Sequence, residues 1–386
     1  MKKSYKFTYG GCLLGAAEKQ AIMRVVNRNW WQLDVEGELM EKESAKYLGV
    51  KYGVLANSGS AAGLLALSAL ELPKGSEVII PAVTFPTIFN IILQCGLIPV
   101  IVDSKVGTYN LDVAEIEKAI TKNTRAIIAV HILGNPVDMP ALMKVAKKHN
   151  VTVLEDLCDA FGTTINGKKV GSFGHINFTS FHAAHIIAMG QGGGVYTNDK
   201  ELAKKVKMYR DWGRQANLKQ RENTEYPSLP KDQNPRFIYE KIGYNFSPLE
   251  LQAAMGRVQL KKVEKIKRLR KRNFEYLYKE LSKFPELIMP EWIKGADVCW
   301  FAFPLSVKSD RGNLLKYLES KGIETRTMFS GNIIKHEAYA KSIYRVSGSL
   351  KEADYILEHS FWISCHPRYS QKDLKYIVDV FKKYYT

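Results

Sequence analysis

The sequence predicts an α/β protein, a largely parallel sheet flanked by helices, with a smaller α+β region following it. Two observations carry that reading. Through the first half, short β-branched runs alternate with helical patterns, the signature of a doubly wound layout. Beyond Pro248 the pattern changes to one long helical stretch and then to a tail that mixes short strands with helices.

Taken in order, strands are expected at Tyr52–Ala56, Glu77–Pro81, Ile98–Asp103, Arg125–His131 and Val151–Glu155. Helices are expected between them at Ala61–Leu72, Thr87–Gln94, Leu111–Ile120 and Pro140–His149. The second follows Pro86, and the last follows Asp138 near its start, both ordinary helix-opening signals. Two more strand-like pieces, Ile176–Phe181 and Gly194–Thr197, flank a glycine-rich hinge, and a helix begins near Lys200. The polar segment Gln215–Arg236 reads as a loop. A helix then runs from Pro248 to about Lys283, and the tail includes a strand at Trp300–Pro304 and a helix at Asp373–Tyr385. The chain divides at about Arg257, into a large domain of residues 1–256 and a small C-terminal domain of residues 257–386. No internal repeat or low-complexity tract interrupts it.

A chain of 386 residues is long enough for two such units, each with its own core. The five cysteines, Cys12, Cys95, Cys158, Cys299 and Cys365, lie far apart without a CxxC pair. That spacing argues against zinc, iron–sulphur and redox motifs, predicts no metal site, and suits a reducing cytoplasm. The N-terminus carries lysines but no apolar core of a signal follows, and no run approaches the ~20 apolar residues of a spanning helix. No membrane role is expected. A formal charge of +17 is compatible with nucleic acid, an acidic surface or a phosphate-bearing ligand. The densest basic run, from Lys261 to Arg272, interleaves Leu260, Val263, Ile266 and Leu269 at every third position. That is one buried helical stripe beneath a solvated basic face, without the aromatic interleaving that nucleic-acid binding favours.

Three stretches carry chemistry. In the first, Asn57-Ser58-Gly59-Ser60-Ala61, a strand turns into a helix, so free backbone N–H groups and a helix N-terminus face whatever anion sits there. The same residues also make an ordinary turn. The second, Glu155-Asp156-Leu157-Cys158-Asp159-Ala160-Phe161-Gly162, begins at the end of an apolar strand, where ligands gather in open α/β sheets. Asp156 there is suited to hold a pyridine nitrogen in its protonated form; helix capping is the plain alternative for Asp156 and Asp159. The third, Phe178 to Gly194, runs from a strand through His182 and His185 into a glycine-rich stretch.

Taken together, these stretches resemble the DegT/DnrJ/EryC1/StrS sugar aminotransferases. The resemblance spans nearly the whole chain and includes Pro81-Ala82-Val83-Thr84-Phe85, Gly243-Tyr244-Asn245 and Thr325-Arg326-Thr327. It implies the aspartate-aminotransferase fold, PLP fold type I, with a central mixed, mostly parallel sheet. It also implies pyridoxal 5'-phosphate or pyridoxamine 5'-phosphate as cofactor, and a homodimer with shared active sites. Position by position, it implies phosphate contacts from Ser60 with the neighbouring Gly59 and Ala61 amides, from Ser180, and from Asn245 of a partner subunit. Phe85 is expected to stack on the ring, Asp156 to meet the ring nitrogen, and Asp159 to stand beside the ring. Arg214 and Arg326 are the candidates for the substrate diphosphate.

One departure decides the expected reaction. Where the family carries the lysine that tethers the cofactor, this sequence has His185, and no lysine lies between Lys169 and Lys200. Histidine forms no Schiff base but moves protons near neutral pH. The substitution resembles the branch that removes the C3 hydroxyl of nucleotide-linked 4-keto-6-deoxy sugars, although Ile186 and Gln191 depart from that branch's usual residues. One version of the branch uses glutamate as amino donor; another couples an iron–sulphur cluster to a reductase. The loop after Arg214 contains no cysteine, which favours the glutamate-driven version. The alternatives are a reductase-coupled enzyme without the usual cluster ligands and a noncatalytic sugar-binding or regulatory protein.

Overall fold

The computed structural model describes residues 5–215 and 226–386. It opens with α1 (Ala16–Asn27) and α2 (Val35–Leu48), then β1 (Tyr52–Ala56), α3 (Gly59–Ser68), β2 (Glu77–Pro81) and α4 (Pro86–Gln94). Next come β3 (Ile98–Val102), α5 (Val113–Ala119), β4 (Thr124–Val130), α6 (Met139–His149) and β5 (Thr152–Asp156). A small hairpin of β6 (Thr164–Ile165) and β7 (Lys168–Lys169) precedes β8 (Ile176–Ser180), β9 (Gly193–Thr197) and α7 (Lys200–Arg210). Two helices follow, α8 (Glu250–Leu260) and α9 (Val263–Leu281), then β10 (Leu287–Ile288), β11 (Ala296–Asp297), β12 (Phe303–Val307) and α10 (Arg311–Ser320). The chain closes with β13 (Thr325–Thr327), β14 (Arg345–Val346), α11 (Lys351–His359), β15 (Ser360–Ile363) and α12 (Gln371–Tyr385).

Eight strands form one sheet in the order β1-β9-β8-β5-β4-β2-β3-β14. From β8 to β14 each neighbouring pair is parallel, whereas β9 is antiparallel to both β8 and β1. Every residue of β2 and β8 is buried, because helices cover both faces; such strands read as continuous apolar runs rather than alternating ones. The expected mixed, mostly parallel sheet is therefore present. A second core gathers Phe274, Leu277, Phe303, Phe361 and Phe381 around the four-stranded sheet β10-β12-β15-β13. Phe7, from the other end of the chain, joins this second core through a bridge to Ile323. Residues 256 and 257, between which the sequence reading divides the chain, both lie within α8.

Three expectations need adjusting. The long helix from Pro248 to Lys283 is two helices, broken at Lys261 and Lys262, where Gln259 and Lys262 turn to hold the Leu13 carbonyl and the buried Glu18 carboxylate. The helix expected over Ala61–Leu72 ends at Ser68, and the chain then turns through Glu71 at a left-handed φ of 49°. The strand expected at Trp300–Pro304 starts only at Phe303, because Phe301 donates its N–H to Leu133 and gives its carbonyl to Arg270. Of the loop expected over Gln215–Arg236, residues 216–225 lie outside the described residues, and residues 226–234 form turns and bends that lead to a short 3-10 turn at Pro235–Phe237. Among the described residues no helix is long and apolar enough to cross a membrane.

Candidate active site

The carboxyl ends of β5 and β8 and the amino end of α3 converge on a cavity of about 620 Å³, closed on its far side by Phe301, Arg326 and Trp362. This is where an open parallel sheet collects ligands. The turn after β1 is built for close approach. Ser58 caps α3 by accepting from the Ala61 N–H at 3.0 Å, which leaves the Gly59 and Ser60 end of the helix facing the cavity. A Cβ on Gly59 would stand 2.5 Å from the Ser180 Cβ, and one on Gly193 would stand 2.3 Å from the Ser58 carbonyl oxygen. Only hydrogen at both positions lets β8, β9 and the turn come together. Ser60 Oγ and Thr87 Oγ1 share a hydrogen bond of 2.7 Å, which joins the first turns of α3 and α4 beside Ser180. Two helix N-termini and three hydroxyls make a seat for an anion.

The acids lie deeper. Asp156 ends β5, is buried, and its Oδ1 accepts the Cys158 N–H at 2.9 Å. Burial pushes its carboxyl above the usual range, a penalty on the carboxylate that a cationic partner at this position would offset. Asp159 Oδ2 accepts the N–H of Leu133, a residue held at a left-handed φ of 51°. Burial first, and the nearby Asp156 second, push Asp159 up to about 7.

His185 faces Asp159 across the cavity, its Nε2 lying 3.8 Å from Oδ1. Its Nδ1 is 3.1 Å from the Ser180 carbonyl oxygen. A carbonyl only accepts, so Nδ1 carries the hydrogen and donates it, and in the neutral ring Nε2 holds the free lone pair. Burial pushes the imidazole down to about 4, with His182 adding in the same direction. The ring is therefore a neutral base at physiological pH. The loop that presents it is closed by backbone bonds from Phe181 to Gly192 and from Ala183 to Gly190, and Phe301 meets the His185 ring edge-on at 5.6 Å.

Of the residues singled out from the sequence, Gly59, Ser60, Phe85, Asp156 and Asp159 line this one cavity, as do Ser180, His185 and Arg326. Phe85 is 57% exposed, with Phe329 edge-on at 6.5 Å. The Arg326 guanidinium lies 4.4 Å from the Tyr9 ring centroid and pairs with Glu324 at 2.6 Å. Three expected residues stand apart. Ala61 is buried in the helix, its N–H already used by Ser58. Arg214 lies over Trp212 at 4.3 Å and bonds the carbonyls of Asp211 and Arg236. Asn245 sits on a segment bridged to Asp211, and its side chain does not line this cavity. Sequence reasoning missed Tyr9, His131, Phe301, His336 and Trp362 on the cavity wall. Thr87 was within reach, since it follows Pro86 at a helix start; Tyr9 and Phe301 carry no local signal, because tertiary contacts alone bring them in.

A profile of the DegT/DnrJ/EryC1/StrS aminotransferase family matches residues 13–382. The chain is 37% identical over 396 residues to the lipopolysaccharide biosynthesis protein RfbH of Salmonella typhimurium, covering 97% of this chain and 91% of that one. It is 37% identical over 359 residues to the dTDP-4-dehydro-2,6-dideoxy-D-glucose 3-dehydratase of Saccharopolyspora spinosa, covering 88% of this chain and 78% of that one. A solved GDP-4-keto-6-deoxymannose-3-dehydratase mutant with bound GDP-perosamine superposes with a TM-score of 0.91 at 29% identity, covering 97% of this chain and 100% of that one. Another structure of GDP-4-keto-6-deoxymannose-3-dehydratase, with a trapped PLP-glutamate geminal diamine, gives a TM-score of 0.89 at 28% identity, again covering 97% and 100%.

Proposed function

The chain belongs to the DegT/DnrJ/EryC1/StrS aminotransferase family, and from that premise we propose that it is a pyridoxal-phosphate-dependent 3-dehydratase. It removes the C3 hydroxyl of a nucleotide-linked 4-keto-6-deoxy sugar, with glutamate as amino donor, in deoxysugar biosynthesis. One observation carries the reading: among the described residues that line the cavity there is no lysine, and His185 supplies an acid–base group instead of a tether.

The residues fit the cofactor. The glycine at position 59 leaves a cradle that a Cβ would fill, two helix N-termini suit a phosphate, and the buried Asp156 suits a protonated ring nitrogen. When bound, the pyridoxamine form supplies a conjugated electron sink through which a leaving group is expelled. Ser60, Ser180 and the α3 amides hold the phosphate end, and Asp156, kept ionised by the cation it meets, holds the other. Phe85 covers one face. His185 Nε2 takes a proton while Nδ1–H stays fixed on the Ser180 carbonyl, then delivers it to the departing hydroxyl. Asp159, 3.8 Å away, balances the imidazolium that forms in between. Phe301 and Trp362 keep water from the reacting atoms. With no amine to recapture the cofactor, the site is left with proton transfer and elimination.

The working unit in this reading is a cytoplasmic homodimer with shared active sites. Asn245 serves the partner's cavity, which agrees with its absence from its own. Trp30, Trp31, Val35 and Leu249 leave large apolar side chains exposed around the Gln32–Leu249 bridge, a surface suited to a second copy. The described cysteines are all unpaired, in keeping with a reducing compartment. The stretch from Gln215 to Ser228 has no cysteine to ligate a cluster, which supports glutamate rather than a reductase as the source of reducing equivalents.

The test is to incubate purified protein and pyridoxal phosphate with a GDP-, CDP- or dTDP-linked 4-keto-6-deoxy sugar, with and without glutamate. The sugar is followed by mass spectrometry and ammonia by a coupled assay. A glutamate-dependent 3-deoxy product with ammonia release is expected; accumulation of an amino sugar sinks the proposal.

A further inference from the structure

Arg270 is 1% exposed, and among the described residues no carboxylate pairs with it, although its neighbours on α9, Lys267 and Lys271, both pair with Asp297. Its Nη1 donates to the carbonyls of Phe301 at 2.5 Å and Trp300 at 3.5 Å, and its Nε has no hydrogen-bond partner among the described residues. A buried cation held by carbonyl dipoles, with Asp159 acting on it only through space, is costly to keep, and Arg cannot shed its proton to escape. Its position is therefore informative. Ile266, one turn before it on α9, packs in the core of the large sheet, and Phe274, one turn after, in the second core; likewise Trp300 belongs to the second core and Phe301 to the first. Arg270 pins the chain at that crossing. The guanidinium carbon lies 5.7 Å from the Phe301 ring centroid, and the His185 ring centroid lies 5.6 Å from the same point.

We propose that Arg270 is a positioning residue for the reaction: it fixes Phe301 against His185, and its positive charge adds to burial in disfavouring a second charge on the imidazole. The inference rests on the reading of His185 as the acid–base group. The groups that face His185 are Asp159 at 3.8 Å from Nε2, the His182 ring at 5.9 Å, the Ser180 carbonyl on Nδ1 and the Phe301 ring. Asp159 opposes the effect, and His182 adds to it. Arg270 in turn acts on Cys299, Cys365, His366 and Tyr369. The His366 ring, pushed down to about 4 by burial first and Arg270 second, is a built-in reporter of the same charge. With the two ring contacts in sequence, the cation stands at most about 11 Å from His185, and at that separation an effective dielectric of about 20 gives an effect of about one pH unit.

The test is an NMR pH titration of the full-length apoprotein labelled with ¹³C-histidine, the His185 and His366 signals being assigned with His185→Asn and His366→Asn. Arg270→Gln removes the charge and keeps an amide donor; Arg270→Lys keeps the charge. Both histidines should titrate higher in Arg270→Gln, by up to about one unit, and near the wild-type value in Arg270→Lys. The acid limb of the glutamate half-reaction should move up with His185. A folded Arg270→Gln protein that titrates like wild type, or an Arg270→Lys protein that shifts as far as Arg270→Gln, overturns the proposal. If Arg270→Gln does not fold, Phe301→Leu decides: at least a tenfold loss of kcat with the His185 titration kept supports the positioning role, and an unchanged kcat overturns it. The titrations read Arg270 even if no sugar is dehydrated, so failure here is distinct from failure of the functional reading.

Discussion

Histidine at position 185 retains the proton-transfer half of what a lysine would do there and lacks the bond-forming half. Borohydride separates the two. It should reduce no cofactor onto the wild-type chain, whereas His185→Lys, which places an amine at the same point, should gain the mass of a reduced cofactor after denaturation. A covalently labelled wild-type lysine would end the untethered reading. His185→Asn keeps the shape and removes the base, so dehydration should slow by about 10²–10⁴-fold while cofactor still binds, as read by its absorbance. Asp159 makes a second, independent prediction through stability. Its carboxyl is pushed up to about 7 in the fold, chiefly by burial, from an ordinary value of 3.8. Below the ordinary value both folded and unfolded chains hold the proton and the group is neutral in effect. Between the two values only the folded chain holds it, so the destabilisation grows with pH and is complete above about 7. Asp159→Asn, whose amide oxygen still accepts the Leu133 N–H, should therefore stabilise the apoprotein at pH 8 by about 1–3 kcal/mol more than at pH 5, measured by denaturant melts. A gain that is the same at both pH values would mean that the carboxyl is not shifted.

At the level of elements, the anion seat depends on how closely β1's turn can approach β8. In Gly59→Ala the new methyl would meet the Ser180 Cβ at 2.5 Å, and because Ser180 sits on a buried strand the turn itself must retreat. Cofactor affinity should fall at least tenfold, with a loss of about 1–3 kcal/mol in stability; titration of cofactor into the apoprotein and a thermal melt check both, and unchanged affinity would detach the turn from the phosphate. The same geometry explains what was legible. The turn, the acidic strand end and the glycine-rich run are local patterns, each fixed by a strand meeting a loop, and they stood out in the sequence. The five strands of the first half were equally plain, because each carries a short, largely buried β-branched or apolar stretch. By contrast α1 and α2 are half-exposed helices with mixed faces, and the start of α2 is held by Glu250, whose carboxylate collects the N–H groups of Asp34, Glu36 and Gly37 from more than 200 residues away. A window along the chain cannot register that bond. Tyr9, Phe301 and Trp362 escaped for the same reason: their neighbours in the cavity are distant in sequence.

For the molecule as a whole, the division of labour between copies is the remaining question, and Asn245 poses it. Its segment is tied to the turn after β1 of its own chain by the Asn57 N–H to Phe246 carbonyl bond of 2.7 Å, yet its side chain does not line that chain's cavity. A residue so close to the seat that does not line it suits a two-fold assembly in which each turn delivers a side chain across the axis. If so, His185→Asn and Asn245→Ala damage different halves of one shared site. Each variant alone should be nearly inactive as a homodimer. Mixed after dissociation, they should form heterodimers in which one site carries both lesions and the other carries neither, so random pairing restores roughly a quarter of wild-type activity. Sites built within single chains give no such recovery, because every site would then keep one lesion. The complementation therefore reads the shared architecture directly, through activity that neither variant possesses by itself, and a null result with heterodimers demonstrated by mass would assign Asn245 to its own subunit.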